Sequence, residues 1–214
     1  MRALTIRAVV FDIGGVLELS PDGREPTIAF GELIATWEKR LNLTFGELNQ
    51  RISDMKLDGA LGSSLEEWQD ELRAVTGMNQ AQADAFMRDF WDVYLGTLNT
   101  RLAAYFRGLR PRYQTALLSN SFVGAREQEQ ERYHFAEMTD LLIYSHEEGI
   151  AKPDRRIYEL TCERLGVQPD EMIFLDDAEK CSIAARELGI HAILFRDTEQ
   201  AIADIDSCLR AHAS

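Results

Sequence analysis

Between residues 114 and 195, four short apolar runs alternate with helix-length amphipathic segments, and few folds accommodate that order. The runs are Gln114–Leu118, Leu141–Tyr144, Met172–Leu175 and His191–Phe195. Segments 155–165 and 180–188 separate the later ones, and 198–211 follows the last. Parallel strands need crossovers of a dozen or more residues, usually helical, so this alternation predicts a doubly wound parallel α/β sheet. Residues 5–11 supply one further strand at the start of the chain.

Residues 19–97 interrupt the alternation with a helical pattern. Phe30, Leu33, Ile34, Trp37 and Leu41 recur at helix spacing over 27–41. Thr44 with Glu47 and Ser64 with Glu67 have the spacing of capping boxes, and the first predicts a helix over 45–56. Asn79 caps a fourth helix carrying Phe86, Phe90, Trp91 and Tyr94. The expected division is a core domain of 1–18 and 98–214, with a helical cap of 19–97 inserted between. The aromatic stripe reads as bundle core. A bundle placed directly behind the first strand can also close over its end and exclude water.

Ligands in open α/β sheets bind at the carboxyl ends of strands, so the residues there carry the chemistry. The first strand ends in Asp12-Ile13-Gly14-Gly15. The second delivers Ser119-Asn120, a hydroxyl and an amide that can bond an oxyanion. Lys152-Pro153 follows the third, and Pro153 disfavours helix at Lys152, predicting an extended setting for the lysine. The fourth ends in Asp176-Asp177, two adjacent carboxylates that repel unless a cation sits near them. With Asp12 they form an oxygen-rich set suited to Mg²⁺. Singly, each motif also reads as ordinary turn or helix-cap chemistry; the order of all four is the specific signal.

The formal charge of -13 excludes a general binder of nucleic acid or anionic membrane, while leaving room for a small phosphate met by local basic groups. No apolar run is long enough to cross a bilayer, and the first seven residues lack a signal-peptide core. Cys162, Cys181 and Cys208 have no metal-ligand spacing and read as free thiols. A soluble cytoplasmic protein is expected, either a monomer or a homodimer.

On these four motifs the chain resembles the haloacid dehalogenase superfamily over essentially its whole length. Asp12 matches the nucleophile motif, Ser119 the second, Lys152 the third and Asp176-Asp177 the acidic fourth. The insert at 19–97 resembles that family's helical cap. The resemblance implies that Asp12 attacks phosphorus, forming an aspartyl-phosphate that water hydrolyses. It implies Mg²⁺ held by Asp12, the Gly14 carbonyl and Asp177, with Asp176 close by. Lys152, Ser119 and Asn120 would bind the phosphoryl group of a small phosphorylated metabolite, with a sugar phosphate among the candidates.

One departure matters. Most phosphatases of this family carry a second Asp two residues after the nucleophile, where this chain has Gly14. That Asp protonates the leaving oxygen, and general acid–base catalysis contributes about 10²–10⁴ in rate. Glu18, the cap carboxylates and His146 are the nearest substitutes by sequence. Three readings stay open: a Mg²⁺-dependent phosphatase, a metal-independent dehalogenase-type hydrolase, and a catalytically weak phosphate-binding protein. Two carboxylates retained without a cation weigh against the second. Cys181, where relatives often have Asn, is expected to be a small core residue.

Overall fold

The computed structural model describes residues 5–20 and 26–213; Met1–Leu4 of the amino-terminal segment and residues 21–25 of the insert lie outside the described residues. Strand β1 (Ala8–Phe11) is buried along its whole length, as an all-apolar run at the centre of a parallel sheet must be. It pairs on one side with β4 (Gln114–Ser119) and on the other with β6 (Met172–Asp176). Outside these lie β5 (Leu141–Tyr144) and β7 (His191–Leu194), giving a five-stranded parallel sheet in the order β5-β4-β1-β6-β7. The first strand starts at Ala8, not at residue 5. Its register partners, Gln114 and Met172, are the first residues of the neighbouring strands.

Alternate residues of β1 feed two separate cores. Val9 and Phe11 pack with Leu102 and Phe106 of α5 (Thr100–Leu109) and Ile205 of α11 (Thr198–Ala211). Ala8 and Val10 pack with Ile157 and Tyr158 of α9 (Arg155–Leu165) and Ala185 of α10 (Glu179–Glu187). Cys181 is buried in this second core, and all three cysteines are unpaired. Short helices α6 (Ala125–Tyr133), α7 (Phe135–Met138) and α8 (Ser145–Glu148) fill the connections around β5.

Among the described residues, four helices lie between β1 and α5: α1 (Pro26–Arg40), α2 (Glu47–Ser53), α3 (Leu65–Thr76) and α4 (Gln80–Tyr94). A two-residue ribbon, β2 (Glu18–Leu19) against β3 (Thr97–Leu98), brackets them. Ser64 with Glu67 and Asn79 with Gln82 form complete capping boxes. The Thr44–Glu47 box does not form. Glu47 Oε2 accepts from Thr44 N and Oγ1, and the helix starts after Gly46 at φ 81°. That helix also ends early, because Glu71 accepts the backbone N–H groups of Lys56 and Leu57 at 2.8 and 3.0 Å.

The insert seats on the sheet domain through Phe122. Its ring lies against Trp68, Phe90 and Trp91, with centroids 4.8–5.8 Å apart. Val123 N donates to Gly59 O at 2.6 Å. Gly59 has φ 71°, and a Cβ there would overlap the Phe122 ring, so this contact requires glycine on both counts.

Candidate active site

Sheet order brings three of the predicted motifs together. Phe11 is level with both Leu117 and Leu175, so Asp12 emerges beside Asp176 on one side and the Leu118-Ser119 end on the other. Asp12 N donates to Leu175 O at 2.9 Å, and Asp12 Oδ1 accepts from Ile13 N at 2.8 Å. Asp176 Oδ1 accepts from Ala178 N at 2.8 Å.

Lys152 arrives from outside the sheet. Its surroundings form a turn closed by Asp154 N to Ala151 O at 2.9 Å, with a cis Lys152–Pro153 bond, rather than the extended segment expected. Asn120 secures it by a reciprocal pair: Lys152 N donates to Asn120 Oδ1 and Asn120 Nδ2 donates to Lys152 O, each at 2.8 Å. The ammonium is buried, 2.7 Å from Asp12 Oδ1 and 2.7 Å from Asp176 Oδ2, and 5.5 Å above the Phe174 ring. Burial disfavours the charged amine, but the Asp12 and Asp176 carboxylates more than offset this and hold its pKa above the usual range. For Asp12, burial raises the pKa most, Lys152 draws it down, and Asp176 pushes it up again; the carboxyl settles at about 7.

Asp177 completes the acidic set. One oxygen from each of Asp12, Asp176 and Asp177 lies within 4.8 Å of the others. Burial and then the Asp176 charge raise the Asp177 pKa. Three carboxylate oxygens in so small a volume are the donor set of a hard divalent cation, and such a cation would relieve their repulsion. Gly15 makes room for them: it has φ 77°, and a Cβ there would overlap Asp177 Oδ2. At Gly14 a Cβ would meet nothing within 4 Å.

A cavity of about 1310 Å³ opens over this end of the sheet. Gly14, Gly15, Ser119, Asn120 and Asp177 line its floor side, and Phe30, Leu33 and Tyr94 of the insert line it from above. Asp12 keeps 12% of its side chain exposed. Glu18 and Glu129 also line the cavity, both almost fully buried. Glu129 Oε2 accepts from Tyr144 Oη at 2.5 Å, while Glu129 Oε1 and Glu18 Oε1 have no partner. Burial, and then the charge of Glu129, raise the Glu18 carboxyl to about 10; burial raises Glu129 to about 8.

Asp12, Ser119, Asn120, Lys152, Asp176 and Asp177 therefore share one sheet end, with Gly14 at its rim. His146 does not join them. Its Nδ1 is 2.7 Å from Ser121 Oγ, and it is not among the described residues that line the cavity. Glu129 had no mark in the sequence, since it sits in the strongly polar segment Arg126–Arg132 that reads as a solvated helix face.

The family model of haloacid dehalogenase-like hydrolases matches residues 6–189. Acyl-CoA dehydrogenase family member 10 of Mus musculus is 28% identical over 95% of this chain, which spans only 19% of that protein. D-ribitol-5-phosphate phosphatase of Bacteroides thetaiotaomicron is 27% identical, over 86% of this chain and 89% of its own length. A solved enzyme from the same organism, in complex with magnesium and inorganic phosphate, superposes with a TM-score of 0.64 at 24% identity, over 89% of this chain and 94% of its own.

Proposed function

The chain belongs to the haloacid dehalogenase-like hydrolase family, and we propose that within it the protein is a Mg²⁺-dependent phosphoric monoester hydrolase acting on a small phosphorylated metabolite, a sugar phosphate among the candidates. The observation that carries this reading is the placement of Lys152 between Asp12 and Asp176, with Asp177 closing a three-carboxylate cluster. A dianionic phosphate can approach Asp12 only where fixed positive charge offsets the repulsion. The relative that dephosphorylates ribitol 5-phosphate supports the same class of substrate.

Asp12 is the nucleophile: its carboxylate oxygen bonds to phosphorus as the bond to the ester oxygen breaks, and the departing alkoxide takes its proton from water, since Gly14 offers no carboxyl two residues after Asp12. Water then splits the aspartyl-phosphate, returning Asp12 and releasing inorganic phosphate. Lys152 holds Asp12 in place and neutralises phosphoryl charge. Ser119 Oγ and the Asn120 amide hold phosphoryl oxygens, and the Asn120 side chain positions Lys152. Asp12, the Gly14 carbonyl and Asp177, with Asp176 adjacent, are the groups that would hold Mg²⁺, whose charge supplies further stabilisation of the phosphoryl oxygens when bound.

The helical insert acts as the cap of this site, selecting the alcohol part of the substrate. The -13 charge supports a small-molecule substrate over nucleic acid. No described helix is long and apolar enough to cross a membrane. We place the protein in the cytoplasm, as a monomer or homodimer.

Phosphate release from an activated aryl phosphate, with and without Mg²⁺, tests the reading alongside the Asp12→Asn variant. Metal-dependent turnover lost in that variant is expected. Turnover that survives Asp12→Asn, or halocarboxylate hydrolysis without metal in place of phosphate release, would overturn it.

A further inference from the structure

We propose that Tyr94 is a catalytic residue supplied by the insert: its hydroxyl donates a hydrogen bond to the ester oxygen that leaves phosphorus. The inference rests on the phosphatase reading and names a donor that this reaction needs and Gly14 does not provide.

In-line displacement sets where that oxygen lies. The attacking and leaving oxygens stand on opposite sides of phosphorus. Asp12 attacks from the sheet end, so the ester oxygen faces away from the floor, towards the insert. Negative charge collects on it as the bond breaks. A fixed donor aimed at such charge is worth about 10²–10³ in rate.

Tyr94 is the last residue of α4, where the chain turns back through Gly96 to the ribbon strand β3. Gly96 sits so close to this ribbon that a Cβ there would lie 2.6 Å from Leu19 O. Tyr94 thus lines the cavity where the insert rejoins the sheet domain, and it is partly exposed. Its oxygen is tied to that domain, because Phe122 N donates to Tyr94 Oη at 3.0 Å. Phe122 directly follows the Ser119-Asn120-Ser121 turn at the end of β4, so the phenol oxygen is held beside the turn that receives the phosphoryl group.

That bond uses a lone pair of Oη and leaves the hydroxyl hydrogen without an acceptor among the described residues. Burial above all, then the carboxyls of Glu129, Glu18 and Asp12, hold the phenol well above its usual pKa, so it keeps its proton. The insert's other donors along the cavity are placed differently. Thr36 Oγ1 donates to Glu32 O at 2.8 Å, and Arg40 is bound to Asp89 at 2.7 Å. Ser20 also lines the cavity, with no bond among the described residues to fix its hydroxyl as Phe122 fixes that of Tyr94. In the reaction Tyr94 retains its hydrogen. The electron pair of the breaking P–O bond passes to the ester oxygen, the Tyr94 bond to that oxygen strengthens, and water supplies the proton that departs with the alcohol.

The test is kcat/KM in saturating Mg²⁺ across ethyl, trifluoroethyl, phenyl and 4-nitrophenyl phosphate, since this constant includes the step that breaks the ester bond. Tyr94→Phe keeps the ring and removes the hydroxyl. It is expected to lower the value for ethyl phosphate about 10²-fold and that for 4-nitrophenyl phosphate about threefold or less. Ser20→Ala is expected to leave the whole series within about twofold of the wild type. A loss of equal size across the series would overturn the proposal, since the hydroxyl would then serve only to seat Phe122. No loss with any ester, or the selective loss appearing in Ser20→Ala instead, would overturn it too. Should Tyr94→Phe not fold, 3-fluorotyrosine at position 94 keeps the hydroxyl and makes it a stronger donor. The ratio of ethyl to 4-nitrophenyl hydrolysis is then expected to rise about twofold, and an unchanged or lower ratio overturns the proposal. Failure of the phosphatase reading is separate, since it shows as no phosphate release from any of the four esters by the wild type, and it removes this role with it.

Discussion

Lys152 Nζ lies 2.7 Å from Asp12 and 2.7 Å from Asp176, so a single buried ammonium is shared by the carboxylates at two adjacent strand ends. Removing one partner of such a group leaves uncompensated buried charge, at a cost of about 3–5 kcal/mol. Lys152→Ala should lower the unfolding free energy in urea by that order and abolish phosphate release. A variant with wild-type stability would show that these carboxylates do not depend on the lysine.

Gly14 and Gly15 are adjacent and opposite in what they tolerate. A Cβ at Gly14 meets nothing, whereas at Gly15 it overlaps Asp177. Gly14→Asp should fold and speed hydrolysis of alkyl phosphates with poor leaving groups, by up to about 10². Aryl phosphates should gain much less. Gly15→Ala should lose activity with both. Steady-state rates across a series of leaving groups make the comparison.

Asp177 stands at the open side of the carboxylate cluster, partly exposed where Asp176 is fully buried. Asp177→Asn should leave the fold intact and weaken Mg²⁺ binding. At saturating Mg²⁺, about 100 times its dissociation constant, the wild type should gain about 2.7 kcal/mol in stability. The variant should lose most of that gain, seen as a smaller rise in melting temperature with added Mg²⁺.

Glu129 gives a dependence on pH whose sign is opposite to that of a salt-bridged acid. Its carboxyl is raised to about 8, chiefly by burial, against about 4.3 for an unfolded glutamate. Between those values the unfolded chain is ionised while the folded one retains the proton. This contribution to stability is complete below pH 4 and declines as the pH rises towards 8, by at most about 1.4 kcal/mol per pH unit. Glu129→Gln should flatten the decline measured by urea unfolding at pH 5.5, 7 and 8 in the absence of Mg²⁺. An unchanged slope would remove Glu129 as a source.

The sheet was legible because its strands are short apolar runs ending in residues of distinctive chemistry. Asp12, Ser119 and Asp176 come together by strand order alone. Residues 198–211 form a helix with the bounds predicted from their pattern. What periodicity could not show were contacts made across the chain. The helix after Thr44 is shortened by Glu71, and Lys152 is anchored by Asn120, 32 residues earlier. Glu129 lay hidden for the same reason: it becomes a cavity residue only when α6 packs beside Tyr144 and the Glu18 ribbon.

The seating of the insert on Phe122 has an optical consequence. The chain has three tryptophans, Trp37, Trp68 and Trp91, and all lie on insert helices. Two of them rest edge-on against Phe122, the residue that follows the Ser119-Asn120-Ser121 turn. Emission excited at 295 nm therefore originates wholly from the insert, and the sheet domain is dark at that wavelength. Fluorescence follows the junction at Phe122, while far-ultraviolet circular dichroism follows both parts, so a mismatch between the two unfolding curves would reveal that the parts separate before either melts.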